Sequence, residues 1–339
     1  MGRVKSSNVT PPSSITGVTE TTIRQTCSPD WFSLTFKEGC SSLVEIEKEV
    51  QRQFPESTPI NLPFGGKGYR RTVKIGAAKI LYDGSDSMGI HVELSGGAIR
   101  GCRDFFDFAS FAYESGASCS RFDLAYDDKT GEFIDIERIE KSCRDSAQLG
   151  AFNKFRVVHQ QTNAGKMTGH GVYLGSRESN VFARAYNKLL EQQSKGINED
   201  LPEVWNRLEF ELKGDVANAA FSRYIEEGKT SLKSILYYYS NRYLSFRIPS
   251  ETDSRRSRWA VAGWWSAFLS ELPKAEILLE KVVPSLIKKA LWFSKSVKKS
   301  FAILLKSPLF GADWLQDQVE QGLNAMTLQD KALSSGVSI

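Results

Sequence analysis

Three short runs carry most of the chemistry that this sequence offers: SRFDLAYDD at 120–128, FARAYNK at 182–188 and RLEFELK at 207–213. Each alternates at period two, and in a strand successive side chains point to opposite faces. RLEFELK sorts into an apolar face of Leu208, Phe210 and Leu212 and a charged face of Arg207, Glu209, Glu211 and Lys213. SRFDLAYDD sorts into Phe122, Leu124 and Tyr126 against Arg121, Asp123 and Asp127, and FARAYNK sets Arg184, Tyr186 and Lys188 in front of Ala183 and Ala185. Placed side by side with matched faces, the three strands would gather carboxylates, cations and a phenol on one surface. Carboxylates take a hard cation such as Mg²⁺ or Mn²⁺, particularly when phosphate oxygens complete its shell. Arg and Lys suit the phosphate itself, and a tyrosine in that company is a nucleophile for phosphorus. The competing reading is a solvated sheet face laced with salt bridges, which antiparallel sheets commonly have.

The elements that must position these residues follow from the same periodicities. WFSLTF from Trp31 reads as a strand, Ser41 to Phe54 as a helix, and YRRTVKI, AKILYDG and MGIHVELSG as a meander of short strands bounded by glycines. CRDFFDFASFAYESG is helical in spacing, and SRFDLAYDD returns to strand. The second half repeats the grammar with the helix IDIERIEKSCRDS, then KFRVVHQ, GVYLGSR, NVFARAYNKL and RLEFELKG as strands. The expected class is therefore α+β: antiparallel sheet with helices packed on one face, strand-rich halves duplicated, and a mostly helical C-terminal region. The expected division is a disordered Ser/Thr-rich tail at 1–25, a catalytic region at 26–270 with halves at about 26–118 and 119–270, and a helical basic region at 271–339.

Composition removes several classes. With 41% hydrophobic and 25% charged residues, the chain is globular rather than disordered or fibrous. The uncharged stretch from Trp259 to Leu269 is far short of the roughly 20 residues that span a bilayer, so no membrane partner is expected. The N-terminus shows no apolar signal region, which makes a cytoplasmic location the default. The five cysteines form no C-x-x-C, so neither a disulfide framework nor a zinc knuckle is expected. The three histidines, 91, 159 and 170, form no H-x-H, H-E-x-x-H or H-x-x-R, so chemistry based on clustered imidazoles is not expected. FGGKGYRR lacks the spacing of a phosphate-binding loop and reads as a turn.

The blocks DWFSLTF, GIHVELSGGAIRGC, SRFDLAYDD, VYLGSRESNVFARAYNK, RLEFELK and RRSRWAVAGWWSAFL, in this order from about Trp31 to Leu269, resemble the replication initiation factors of rolling-circle elements, the Rep_trans family. The resemblance implies a metal-dependent nicking-closing enzyme that forms a 5′-phosphotyrosyl bond to DNA and leaves a free 3′-hydroxyl. It implies Tyr186 as nucleophile, with Asp123, Glu209, Glu211 and, at the strand end, Asp127 as metal ligands for Mg²⁺ or Mn²⁺. Arg184 and Lys188 flank Tyr186 and would stabilise phenolate and phosphorane, since a phenol of pKa near 10 is only about one part in a thousand ionised at neutral pH. The resemblance says nothing about the tail or the region beyond about Leu272.

Tyr173 in VYLGSR is the rival nucleophile, and Arg177 in the same block is a candidate DNA contact. Tyr237, Tyr238 and Tyr239 read as packing, and Trp264, Trp265 and Phe268 as the apolar seam of a helix. Between Lys281 and Lys306 there are seven lysines and no acidic residue, with Lys288, Lys295 and Lys299 as candidate phosphate contacts. The expected partner is origin DNA, double-stranded and locally single-stranded, with a second copy of the chain and a host helicase as further candidates. The alternative function is a catalytically inactive, sequence-specific DNA-binding regulator of the same fold.

Overall fold

The alternating runs at 120–128 and 207–213 lie beside one another in the computed structural model, which describes residues 25–272, 293, 297–326 and 334. The chain divides into two compact units, 1–276 and 277–339. In the first unit the elements run β1 (Gln25–Phe36), α1 (Leu43–Gln53), β2 (Ile60–Leu62), β3 (Arg71–Ile75), β4 (Ala78–Tyr82), β5 (Ile90–Ser95), α2 (Gly96–Gly101) and α3 (Phe105–Glu114). They continue with β6 (Ser118–Asp128), α4 (Ile136–Arg144), β7 (Phe155–Gln161), β8 (Met167–Leu174), β9 (Val181–Asn187), α5 (Lys188–Ser194), β10 (Asn206–Lys213), α6 (Gly214–Glu227), α7 (Ser231–Tyr243) and α8 (Gly263–Glu271).

All ten strands form one antiparallel sheet in the order β2-β3-β4-β5-β1-β6-β10-β9-β8-β7. The order shows the duplication directly. The first half contributes 2-3-4-5-1 and the second 7-8-9-10-6, so each half is a four-stranded meander returning beside its own first strand. The halves meet where β1 pairs with β6.

One face of the sheet is apolar and carries helices. Phe32 meets Phe122 and Phe221 edge-on and Tyr126 meets Phe268 edge-on, while Phe122 lies tilted against Tyr224 and Phe210 tilted against Tyr239, which joins β1, β6 and β10 to α6, α7 and α8. Trp265, Tyr239 and these phenylalanines are almost fully buried, as apolar residues at strand and helix spacing should be. Tyr239 is therefore a packing residue, as expected.

Three local differences from the sequence reading have plain causes. The chain turns helical at Gly96, where Ser95 Oγ accepts from the Ala98 N–H, so SGGAIRG supplies a helix that strand alternation did not signal. A short strand, β2, precedes the glycine-rich turn. NVFARAYNKL stops being a strand at Asn187, whose side chain caps α5 by accepting from the Leu190 N–H. Lys188 is thus the first residue of a helix and not the last of a strand.

In the second unit, α9 (Lys298–Lys306) and α10 (Gly311–Asn324) are described, with Phe293 against Phe301 and Phe310 against Trp314. Lys299 is exposed on α9, whereas Lys288 and Lys295 lie outside the described residues, as does the tail up to residue 24. Among the described residues no helix is long and apolar enough to cross a membrane.

Candidate active site

Directly paired residues of neighbouring strands share a face, so the register fixes which functional groups meet. Asp123 lies opposite Glu211, and Asp127 opposite Arg207, between β6 and β10. Glu209 faces Arg184, and Arg207 faces Tyr186, between β10 and β9. Tyr186 faces Gly171, and Arg184 faces Tyr173, between β9 and β8. The three alternating runs therefore do present one common polar face.

That face is buried rather than solvated. Asp123 and Glu209 are each 1% exposed, Arg207 2% and Glu211 6%. Tyr173, Arg184, Tyr186 and Glu209 of this face form the floor of a cavity of about 350 Å³, rimmed by Gly96, Gly97 and Arg100 of α2 and by Lys188, Glu191 and Ser194 of α5. Buried charges need partners, and two clusters supply them. In the first, the Arg121 guanidinium donates to both oxygens of Asp123 at 2.9 and 2.6 Å and to Glu211 Oε2 at 3.0 Å, while Lys213 pairs with Glu211 Oε1 at 2.7 Å. In the second, Arg207 binds Asp127 through two parallel bonds of 2.7 and 2.8 Å and reaches Asp30 Oδ1 at 2.8 Å. Trp205 Nε1 also donates to Asp127, at 2.5 Å.

Tyr186 stands between these clusters. Its hydroxyl donates to Glu209 Oε2 at 3.1 Å, and the other oxygen of Glu209 is paired with Arg184. Lys188 Nζ lies 5.6 Å and the Arg184 guanidinium 5.9 Å from the centre of the tyrosine ring. Burial, and next the Glu209 carboxylate, push the Tyr186 phenol well above its ordinary value. Burial and then the Arg207 charge push the Lys188 ammonium below its own. Arg184 Nε is buried without a hydrogen-bond partner, so one donor of that guanidinium is uncommitted on the cavity floor.

Asp123 pairs with Glu211 between β6 and β10, and Glu209, which lines the cavity, lies two residues from Glu211 on the same face. Burial lifts the Asp123 carboxyl to about 7 against the opposing bond from Arg121, with Glu209 and Glu211 adding to the rise. Three carboxylates are an all-oxygen donor set of the kind a hard divalent cation takes, and their oxygens are here held by Arg121, Lys213, Arg184 and the Tyr186 hydroxyl. Asp127 sits apart from this trio, with both oxygens taken by Arg207. Tyr173 lines the same cavity, under the Arg156 guanidinium and edge-on to Phe182. Arg177 is exposed in the β8–β9 connection, over the Phe182 ring.

Three residues of the site had no assigned role in the sequence. Asp30 is brought in by a register shift between Pro29 and Trp31, and Gly96 admits it: a Cβ on Gly96 would lie 2.4 Å from Asp30 Oδ1. Proline inside a strand was the available signal. Trp205 and Glu191 follow from the capping of α5, which turns the chain back over the site. The histidine expectation needs correction. His159 and His170 form no sequence motif, yet the β7–β8 register sets them opposite one another with ring centres 4.5 Å apart.

The chain is similar to known proteins along most of its length. It is 26% identical to the NicK protein of Bacillus subtilis (strain 168), whose name describes it as a DNA relaxase, over 72% of this chain and 71% of that one. The structure of a rolling-circle replication initiator from Geobacillus stearothermophilus superposes with a TM-score of 0.63 at 28% identity, covering 73% of this chain and 96% of that one. The sequence profile of the replication initiation factors matches residues 117–319, which is more than half of the chain. That match runs past Leu272 into the second unit, so the helical region is not outside the resemblance, as the sequence blocks alone implied. With the profile matching more than half of it and the fold in agreement, the chain belongs to the replication initiation factor family, Rep_trans.

Proposed function

We propose that the protein initiates rolling-circle replication by nicking one strand of origin DNA, with Tyr186 as the nucleophile. The observation that carries this reading is the hydrogen bond from the Tyr186 hydroxyl to Glu209 Oε2, at 3.1 Å, on a floor shared with the uncommitted Arg184 Nε. Tyr186 Oη attacks the scissile phosphorus and Glu209 accepts the phenol proton. The P–O3′ bond breaks with its electron pair leaving on the 3′ oxygen, which takes a proton and becomes the free 3′-hydroxyl. The products are a 5′-phosphotyrosyl enzyme and a primer end. One phosphodiester replaces another, so no nucleotide triphosphate is needed.

The elevated phenol requires such an acceptor. A tyrosine this buried does not ionise on its own near neutral pH, and a positioned base removes the proton as the bond to phosphorus forms. Glu209 is favoured over Lys188 because only Glu209 holds the hydroxyl directly. Arg184 and Lys188 flank the ring and suit the charge that develops on the phosphorane oxygens. Asp123, Glu209 and Glu211 would hold a Mg²⁺ or Mn²⁺ ion, which when bound polarises the scissile phosphate. Arg207, fixed by Asp127 and Asp30, lies opposite Tyr186 on the neighbouring strand and sets its position from the side.

The test is the covalent adduct. Tyr186→Phe is expected to bind an end-labelled origin oligonucleotide as wild type does, yet to leave it uncut and to give no protein–DNA band on a denaturing gel with Mg²⁺. Tyr173→Phe should retain the band. If wild type itself binds the origin and never forms an adduct, the protein is a DNA-binding regulator on this fold. If Tyr186→Phe still traps the label, the nucleophile lies elsewhere.

A further inference from the structure

Apart from the cavity, one cluster of metal-ligating side chains stands out among the described residues. Glu140 of α4, His159 of β7 and His170 of β8 offer one ligand atom each, and these atoms all lie within 4.8 Å of one another. His170 Nε2 is 2.8 Å and His159 Nε2 3.2 Å from the same oxygen, Glu140 Oε2. Glu140 Oε1 is held separately by Arg144 Nε at 2.7 Å. His170 and Glu140 are each 14% exposed and His159 46%, so the cluster is anchored from within and open on one side. A surface cavity of about 520 Å³ opens onto it, leaving room for a water.

We propose that Glu140, His159 and His170 form a transition-metal site, for Zn²⁺ or an ion of similar preference, that fastens the edge hairpin β7–β8 to α4. Two imidazoles and one carboxylate are a donor set that zinc takes readily, with a water completing the tetrahedron. Imidazole favours Zn²⁺, Co²⁺ and Ni²⁺ over Mg²⁺, so this site and the carboxylate trio of the polar face select different ions. A carboxylate oxygen only accepts, so both rings now present Nε2–H to Glu140. On loading, the ion takes the place of those two hydrogens and each ring proton moves to Nδ1, so neutral histidines bind without a net change in protons. Arg144 does for Glu140 what an outer-shell group does for a ligating carboxylate, fixing its direction by holding the oxygen that the metal leaves free.

The position gives the site a purpose. By strand alternation His159 and His170 belong to the helix-bearing face, while Val158, Gln160, Gly169 and Gly171 line the cavity, to whose lining His170 also contributes. β8 is the strand that pairs with the Tyr186 strand. Cross-linking the hairpin to α4 from behind therefore stiffens one wall of the cavity. The proposal does not depend on whether the protein nicks DNA.

The experiment uses the full chain stripped of metal and kept in excess Mg²⁺, so that the carboxylate trio is saturated, and titrates it with Co²⁺ while the visible d–d bands are recorded. One equivalent of Co²⁺ should develop bands of a low-coordinate nitrogen-containing site, Zn²⁺ should abolish them, and Zn²⁺ should raise the melting temperature. His159→Gln, at a half-exposed ring, should weaken Co²⁺ binding by at least the roughly 10–100-fold that loss of an outer-shell group costs. His170→Gln should do the same, and Asp123→Asn should leave the bands unchanged. Absence of bands in wild type, bands that persist in both histidine variants, or bands lost only in Asp123→Asn would each overturn the proposal.

Discussion

Gly171 lies directly opposite Tyr186, and a methyl group there would come within 2.9 Å of the Tyr186 Cβ and 3.2 Å of the Ala185 carbonyl oxygen. The backbone oxygen cannot yield, so the tyrosine would be the group that shifts. Gly171→Ala is expected to reduce adduct formation by about 100-fold, the usual penalty for displacing a reacting group by about an ångström. Origin binding should change little; single-turnover cleavage beside a filter-binding isotherm measures both. At this scale much of the site was legible, because parity alone places Asp123, Glu209, Glu211, Arg184 and Tyr186 on common faces. What parity could not show is which oxygen of Glu209 meets the phenol, or that Asp127 would be consumed by Arg207. The histidine pair escaped for a related reason. Cross-strand neighbours are set by register and turn length, and His159 and His170 are too far apart along the chain for any local motif.

Among the elements, the connection from β6 to α4 shows how a strand that carries site residues is terminated. Asp128 is fully buried, and its two oxygens accept from the N–H groups of Thr130, Gly131, Phe133 and Ile134 and from the Thr130 hydroxyl. Replacing it by alanine would strand the buried donors of Phe133 and Ile134 and the half-buried ones of Thr130 and Gly131, and each buried group left unsatisfied costs about 1–3 kcal/mol. Asp128→Ala should therefore destabilise the protein by at least about 3 kcal/mol in urea unfolding, and Asp128→Asn by less, since the amide keeps one acceptor. The adjacent doublet Asp127–Asp128 thus divides its work: one carboxylate faces the site and fixes Arg207, the other folds the turn. Strand alternation put Asp127 on the polar face and gave Asp128 no role. It did not predict where β9 gives way to α5, because Asn187 acts through a cap, and period-two sorting carries on past a cap without registering it.

On the scale of the whole molecule, the polar floor belongs to the first unit and the lysine-rich run to the second. If Lys288, Lys295 and Lys299 contact phosphates, each contributes about 0.9 to the slope of log K against log salt. Replacing the three by alanine should flatten that slope by about three, while Tyr186→Phe should leave it unaltered. An unchanged slope in the triple variant would assign the lysines to solvent. The antiparallel α+β class and its doubled halves were legible because each half repeats the same order of strand and helix signals. Their union into a single ten-stranded sheet was not, because pairing of β1 with β6 joins segments some ninety residues apart and leaves no mark in either one.

The pairing of β1 with β6 has a bearing on biosynthesis. In the finished protein β1 is an interior strand, yet it is translated long before β6, and a chain emerging from the ribosome folds from its N-terminal side. Once β2 to β5 have formed their meander on it, β1 is an outer strand with one row of N–H and C=O groups unclaimed, the kind of border that recruits foreign strands. Pro29 and the register shifts at Pro29/Trp31 and Ser33/Leu34 roughen it in two places; the stretch from Trp31 to Phe36 still stays open until β6 arrives. A ribosome that stalls between α3 and β6 would therefore release a half-sheet inclined to pair with another of its kind, and β6 doubles as the chaperone of the strand made before it.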